Sequence, residues 1–135
     1  MLDNPLPTFE LLELMEEHLP IQAMIPPLLA KLLSEQRPDL DIPRTATIRE
    51  IEYQPDEGGI ICVMLLPTRD GDEHRCVVSL THLKVDGRHP LSRRIAAYQK
   101  RRIKKIAEER RLMAYAGVRG LLEYPVEYPI NGPQV

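Results

Sequence analysis

Aromatic side chains are scarce in this sequence, which has five Tyr, one Phe and no Trp among its 135 residues. A core must therefore be built mostly from Leu, Ile, Val and Met. The two cysteines, Cys62 and Cys76, are too few for a disulfide framework, so we expect free thiols in a reducing cytoplasm. No apolar run approaches the ~18 residues of a membrane span, and the first residues do not resemble a signal peptide. We therefore expect a cytoplasmic protein with no membrane partner.

Motifs that carry chemistry are also missing. There is no glycine-rich phosphate loop after a strand, and no nucleophile lies beside an oriented base. His74, Cys76 and His82 fall on one strand face, but too far apart along it for the spacing of a metal site. We expect no catalytic residue, no cofactor, no metal and no small-molecule substrate. A small enzyme without a recognisable motif is the remaining catalytic alternative.

The thirteen prolines divide the chain into short elements. Thr8 is the expected cap of a first helix that runs to about His18, and Pro26-Pro27 is the expected start of a second that ends near Gln36. Three strands follow, then a long helix that runs to about Ala116. These elements predict one α+β domain over residues 1–116: an N-terminal helical hairpin, a three-stranded antiparallel meander over residues 45–54, 60–66 and 74–85, and a basic C-terminal helix that begins at His89-Pro90 or at Ser92.

The middle strand of the meander is apolar at every position from Ile60 to Leu66. Because successive side chains in a strand point to opposite faces, both faces of the sheet need cover. We expect the N-terminal helix pair to cover one face. The C-terminal helix, or a second subunit, would cover the other.

Charge is distributed unevenly along the chain, although the net charge is only −2. Residues 1–83 hold six Lys+Arg against fifteen Asp+Glu, whereas residues 84–119 hold twelve against three. At ~100° per residue, one side of the C-terminal helix is apolar and the opposite side is basic. Such a pattern indicates an acidic protein surface or a nucleic acid as partner, or a solvated face neutralised by the chain's own acids. The candidate partner-binding cations are Arg93, Arg94, Lys100, Arg101, Lys104, Lys105 and Arg111.

The order helix, three strands, helix over residues 27–116 resembles the double-stranded RNA-binding domain. Ser92-Arg93-Arg94-Ile95-Ala96 resembles the basic start of that family's last helix. The family's glycine-rich approach is reduced here to Gly87, and the leading helix and the tail have no counterpart in it. The resemblance implies phosphate contacts by Arg93, Arg94 and Lys100.

The final residues, 117–135, form a predicted extended tail in which Tyr-Pro occurs twice, at Tyr124 and Tyr128. Both tyrosines are candidate partner contacts, with a strap on the chain's own domain or an arm on a neighbouring subunit as the other interpretations. The leading functional hypothesis is a non-enzymatic protein-interaction or assembly module. It would use the basic helix and the tail on an acidic protein surface or on a second copy, giving a homodimer. The alternative is RNA or DNA binding through the same helix.

Overall fold

A computed structural model describes residues 3–55 and 57–115 of the chain, with side chains as far as residue 112. The predicted tail, with Tyr124 and Tyr128, lies outside the described residues. The predicted α+β class is confirmed. The elements are α1 Pro5–His18, β1 Ile21–Met24, α2 Pro27–Gln36, β2 Thr45–Gln54, β3 Gly59–Pro67, β4 Glu73–Ser79, a 3-10 turn Leu80–His82, β5 Lys84–Val85 and α3 Ser92–Tyr115.

The sheet has five antiparallel strands in the order β4-β3-β2-β1-β5, so the predicted three-stranded meander is only part of it. The third predicted strand, over residues 74–85, is longer than the observed β4. It ends at Ser79, whose side chain accepts from Thr81 N and caps the 3-10 turn. After this turn the chain forms β5, which pairs with β1 at the other edge of the sheet.

The N-terminal helices do not form the predicted simple hairpin, because β1 lies between them. Ile21 and Ala23 are buried, and the alternating burial of this short segment is that of a strand paired with β2. The first helix also starts earlier than predicted, with Asn4 at its N-cap position and Pro5 in its first turn. Thr8 is therefore not a cap and lies buried inside α1.

All three helices contribute to one apolar core on one face of the sheet. The proposal that α3 covers the second face is therefore wrong. On that second face a separate, smaller cluster lies at the centre of the meander, where Ile61 and Val63 are each 2% exposed and Val77 is 8% exposed. The main core is built from Leu11 and Met15 of α1, Leu29 and Leu33 of α2, Leu91, Ile95 and Tyr98 at and within α3, and the facing residues of the sheet.

Candidate interaction surface

Helix α3 packs on the sheet through its first three turns. Ile95, Tyr98 and Arg102 are each 1% exposed and repeat at helical spacing, so they lie on one side of the helix. Arg102 lies on the side of α3 that helical periodicity predicts to be apolar, where a charged residue favours a solvated middle of the helix. Instead, Arg102 is part of the packed side, and the helix becomes exposed only beyond it.

The predicted basic side of α3 faces solvent. Arg93, Lys100, Lys104 and Arg111 are exposed. They fall on one line along the helix at ~100° per residue, diametrically opposite the packed side. We call these four residues the basic row. Of the three flanking candidates, Arg94 and Lys105 are exposed and Arg101 is half-buried.

Most of these cations are not neutralised by the described part of the chain. Arg94 Nη1 lies 3.9 Å from Glu10 Oε2, and both side chains are 59% exposed. Within residues 3–55 and 57–112, no carboxylate oxygen comes within 4.0 Å of any member of the basic row or of Arg101 and Lys105. An exposed pair at 3.9 Å is weak, so Arg94 also keeps most of its charge available.

A buried polar cluster holds α3 against the start of the chain. Asp3 Oδ2 accepts hydrogen bonds from Arg102 Nη1 and Tyr53 Oη, both at 2.7 Å, and from Tyr98 Oη at 3.4 Å. The Asp3 and Arg102 side chains are 2% and 0% exposed. Tyr98 Oη also accepts from the backbone N–H of Ile60 at 2.9 Å. The cluster joins α3, two strands and the segment just before α1.

Gly59 makes room for this cluster. It has a φ of +71°, and a Cβ placed on it would lie 2.1 Å from Tyr98 Oη and 2.9 Å from Arg102 Cζ. Both the backbone conformation and the lack of a side chain are therefore required at the start of β3. The sequence suggested a turn before β3 but gave no sign of the buried pair that Gly59 accommodates.

Gln99 attaches the other flank of α3. Its Nε2 donates to the carbonyl oxygens of Leu80 and Leu83, each at 2.7 Å. These carbonyls belong to the 3-10 turn and the residue after it, and the Leu80 oxygen also accepts from the backbone N–H of Leu83. One side chain therefore links α3 to two backbone groups of this turn. Gln99 and the polar cluster together fix which side of α3 faces outward.

Helix α1 runs antiparallel to α3, as three contacts along their length show. Asp3 meets Arg102, Glu10 meets Arg94, and the rings of His18 and His89 lie 5.6 Å apart. From one contact to the next, the residue number rises on the α1 side and falls on the α3 side, which is the pattern of antiparallel helices. The two helices therefore lie side by side on the sheet, with their solvent sides on the same outer surface.

The solvent side of α1 carries the opposite charge to that of α3. Glu10, Glu13 and Glu17 are exposed and lie opposite the buried Leu11 and Met15 at ~100° per residue. We call these three glutamates the acidic row. Two apolar side chains lie beside it, Leu6 with 72% and Phe9 with 46% of their surface exposed.

Beyond Arg102, α3 extends past most of its packing. Ile103 is 55% exposed and Leu112 is 67% exposed, while Ile106 and Arg110 are half-buried. This half of the helix carries Lys104, Lys105 and Arg111, together with Glu108 and Glu109. It is therefore an accessible helix segment of mixed polarity and not part of the central core.

Across residues 3–55 and 57–112, the histidines and cysteines are spread over α1, β3, β4, the 3-10 turn and the loop before α3. In the described part of the chain, no three His, Cys, Asp or Glu side chains are placed to hold a metal ion. His74 lies 2.8 Å from Arg37 Nη1 through its Nδ1 atom, and burial lowers its pKa. Cys62 and Cys76 lie on adjacent strands but are not directly opposite each other, because Cys62 pairs with Val78 and Cys76 with Met64. Both are buried free thiols.

None of the helices in the described part of the chain combines the length and apolarity needed to cross a bilayer. Comparison of the chain with protein-family models, with curated proteins and with solved structures gave no match. The likeness to the double-stranded RNA-binding domain therefore rests on the order of elements and on Ser92 to Ala96 alone. Strand β5 is an addition to that order, and β1 lies before the residues that the order covers.

Proposed function

We propose that this protein is a non-enzymatic interaction module that binds an acidic protein surface through the basic row of α3. The observation that carries the proposal is the orientation of the helix. The Asp3–Arg102 cluster and Gln99 hold the opposite side of α3 against the sheet as far as residue 102, so Arg93 and Lys100 are presented to solvent in one fixed orientation. Lys104 and Arg111 continue the row on the part of the helix beyond. A preorganised row of cations loses less conformational entropy on binding than a flexible basic segment does.

The length of the row suits an extended partner. From Arg93 to Arg111 it covers 18 positions, about 27 Å at the rise of an α-helix. Arg94, Arg101 and Lys105 widen its contact area on one flank. The predicted Tyr-Pro tail, with Tyr124 and Tyr128, is a second proposed contact. Its role is tested separately, by truncation after residue 116.

A protein partner is favoured over a nucleic acid because of the neighbouring helix. The acidic row of α1 lies next to the basic row, and Glu10 reaches Arg94. A phosphate backbone that follows α3 would run close to these glutamates and be repelled by them. A protein with patches of both signs can place each against its opposite. A reducing cytoplasm is the proposed setting, since both thiols are free.

Fluorescence anisotropy with three labelled probes tests the function: polyglutamate, duplex RNA and duplex DNA, each at low and moderate salt. We expect polyglutamate to bind and its affinity to fall with salt, because exposed charges are screened. The variant Lys100→Glu, Lys104→Glu, Arg111→Glu should lose about tenfold or more in affinity, because each exposed pair contributes up to ~1 kcal/mol.

The matched control changes the same total charge away from α3. Lys31→Glu, Arg69→Glu, Lys84→Glu alters three exposed cations on α2, a turn and β5. It should bind polyglutamate more tightly than the α3 variant does. Equal losses would mean that net charge alone governs binding. Tighter binding to a duplex than to polyglutamate would establish the nucleic-acid alternative, and no binding to any probe at low salt would remove both.

A further inference from the structure

We infer that the acidic surface recognised by the start of the basic row, at Arg93 with Arg94 on its flank, is the part of the acidic row at Glu10 and Glu13 in a second copy of this chain, so that the protein forms a two-fold homodimer through the outer surface of α1 and α3. This inference rests on the proposed function and names the partner. It starts from a property of that surface: two antiparallel helices lie side by side, one with exposed glutamates and the other with exposed arginines and lysines. Such a surface is complementary in charge to itself.

The geometry of a two-fold contact fits this arrangement. The two-fold axis lies parallel to the two helices, above their outer surface and midway between them. Rotation by 180° then lays α1 of each copy on α3 of the other and keeps the helices antiparallel. Because Glu10 is level with Arg94 within one chain, the same correspondence brings Glu13 of one copy to the turn of the other that carries Arg93. Each contact occurs twice, as an isologous interface requires.

Apolar area beside the charges supplies affinity that exposed ion pairs alone do not give. Leu6 lies on the line of the acidic row and is 72% exposed, and Phe9 on its flank is 46% exposed. The two-fold arrangement sets Leu6 against the neighbourhood of Lys100 in the other copy, whose methylene stem can cover it. Burial of two such leucines, one per copy, adds an apolar contribution at both ends of the interface.

Charge-swap variants test the interface directly. Glu10→Lys/Glu13→Lys is one variant, and Arg93→Glu/Arg94→Glu is the other. All four side chains are exposed, so both variants should keep the fold. Each should weaken homodimerisation at least about tenfold, because like charges face each other twice in its own dimer. Sedimentation velocity over a concentration series at moderate salt measures this.

Mixing the two variants gives the decisive result. In the mixed dimer one contact is entirely natural, and the other has both signs reversed, so both are attractive. We expect the mixture to dimerise about as well as the natural chain. The control mixture pairs Arg93→Glu/Arg94→Glu with Glu35→Lys/Glu73→Lys, which changes the net charge as much as Glu10→Lys/Glu13→Lys does but reverses no acid of α1. It should not recover the heterodimer.

Three outcomes overturn the inference: a natural chain that stays monomeric at every concentration, a dimer insensitive to both swaps, or a mixture that fails to recover. The first leaves the proposed function intact if polyglutamate still binds, because that assay reads the basic row on a single chain. A charge-dependent dimer without polyglutamate binding would support the homodimer and contradict the more general binding of acidic surfaces. A dimer that is lost only on truncation after residue 116 would also contradict the inference, because the tail would then form the contact.

Discussion

Arg102 has none of its side-chain surface exposed, and its guanidinium meets the carboxylate of Asp3 at 2.7 Å. Removing two charges from water carries a penalty of several kcal/mol per ion, which attraction and further hydrogen bonds must offset. Here the carboxylate also accepts from two tyrosine hydroxyls. This pair specifies how α3 is rotated on the sheet, since a half-turn of the helix would bury Lys100 and expose Tyr98.

A test at the residue scale compares two glycines. Gly59 and Gly71 have φ angles of +71° and +93°, but only Gly59 has atoms within 4 Å of a built Cβ. Gly71→Ala should therefore lower the free energy of unfolding by about 1–2 kcal/mol, the cost of the left-handed conformation. Gly59→Ala should cost about 3 kcal/mol or more, because it also displaces Tyr98 and Arg102 from the buried cluster. Urea denaturation measures both. Equal losses would show that the cluster does not depend on the space at Gly59.

At the scale of elements, α3 consists of two unequal halves. As far as Arg102 it is held by core residues, by Gln99 and by the Asp3 carboxylate. Beyond that point Ile103 and Leu112 are largely exposed and the tertiary contacts thin out. Much of a helix's stability in a protein comes from packing of its apolar face, so the two halves should differ in local stability.

Hydrogen exchange checks this difference. We expect amides between residues 96 and 102 to exchange much more slowly than those between residues 104 and 112, because the second group opens without disrupting the core. Gln99→Ala should speed exchange in the first group by loosening the attachment to the 3-10 turn. Lys100→Ala is the matched control, since Lys100 is exposed and lies in the same turn. Uniform protection along the whole helix would contradict the division.

Elements bounded by prolines or by turn residues were predicted well from the sequence. The limits of β2 are those predicted, and α2 begins at Pro27 and ends at Gln36 as expected. Strand β1 was missed because it has four residues and becomes a strand through pairing with β2, more than twenty positions away, and with β5, still further along the chain. A local pattern does not contain such a contact, although Ile21 and Ala23 do alternate with polar or exposed neighbours.

The candidate surface was only partly predictable, because part of it depends on contacts between residues that are distant in sequence. Helical periodicity placed the basic row on one side of α3, and the exposure of all four residues agrees with it. The same periodicity treated Arg102 as a flaw in the apolar side, because nothing near it in sequence indicates its partner. Asp3 lies 99 positions away, and only the tertiary fold brings the two together.

At the scale of the whole molecule, one core joins all three helices to the sheet and contains both thiols. Burial raises the pKa of Cys76 to about 11, and burial raises that of Cys62 even further above its usual range. Unfolding exposes both thiols, whose pKa values return to about 8.5. The protonated thiols therefore favour the fold below that pH, and this contribution is lost progressively as the pH rises toward 11.

Thiol alkylation and alkaline unfolding test this packing. Iodoacetamide at pH 7.5 should add two adducts to the urea-unfolded protein, as judged by mass. Over the same time the native protein should stay unmodified. Between pH 8 and pH 10.5, the natural chain should lose more unfolding free energy than Cys62→Ala/Cys76→Ala does, because only the natural chain releases thiol protons on unfolding. Rapid alkylation of the folded protein, or equal losses, would place the thiols outside the core.

The bond between Asp3 and Arg102 has a consequence for how the chain acquires its structure during synthesis. Residues near the start of the chain leave the ribosome long before α3 does, yet they find their charged partner only on that late helix. Until α3 emerges and docks, the Asp3 carboxylate stays solvated, and the sheet and the first two helices lack their contacts with α3. Contacts between such distant positions slow folding, and the nascent chain meanwhile exposes the apolar surface that α3 will cover.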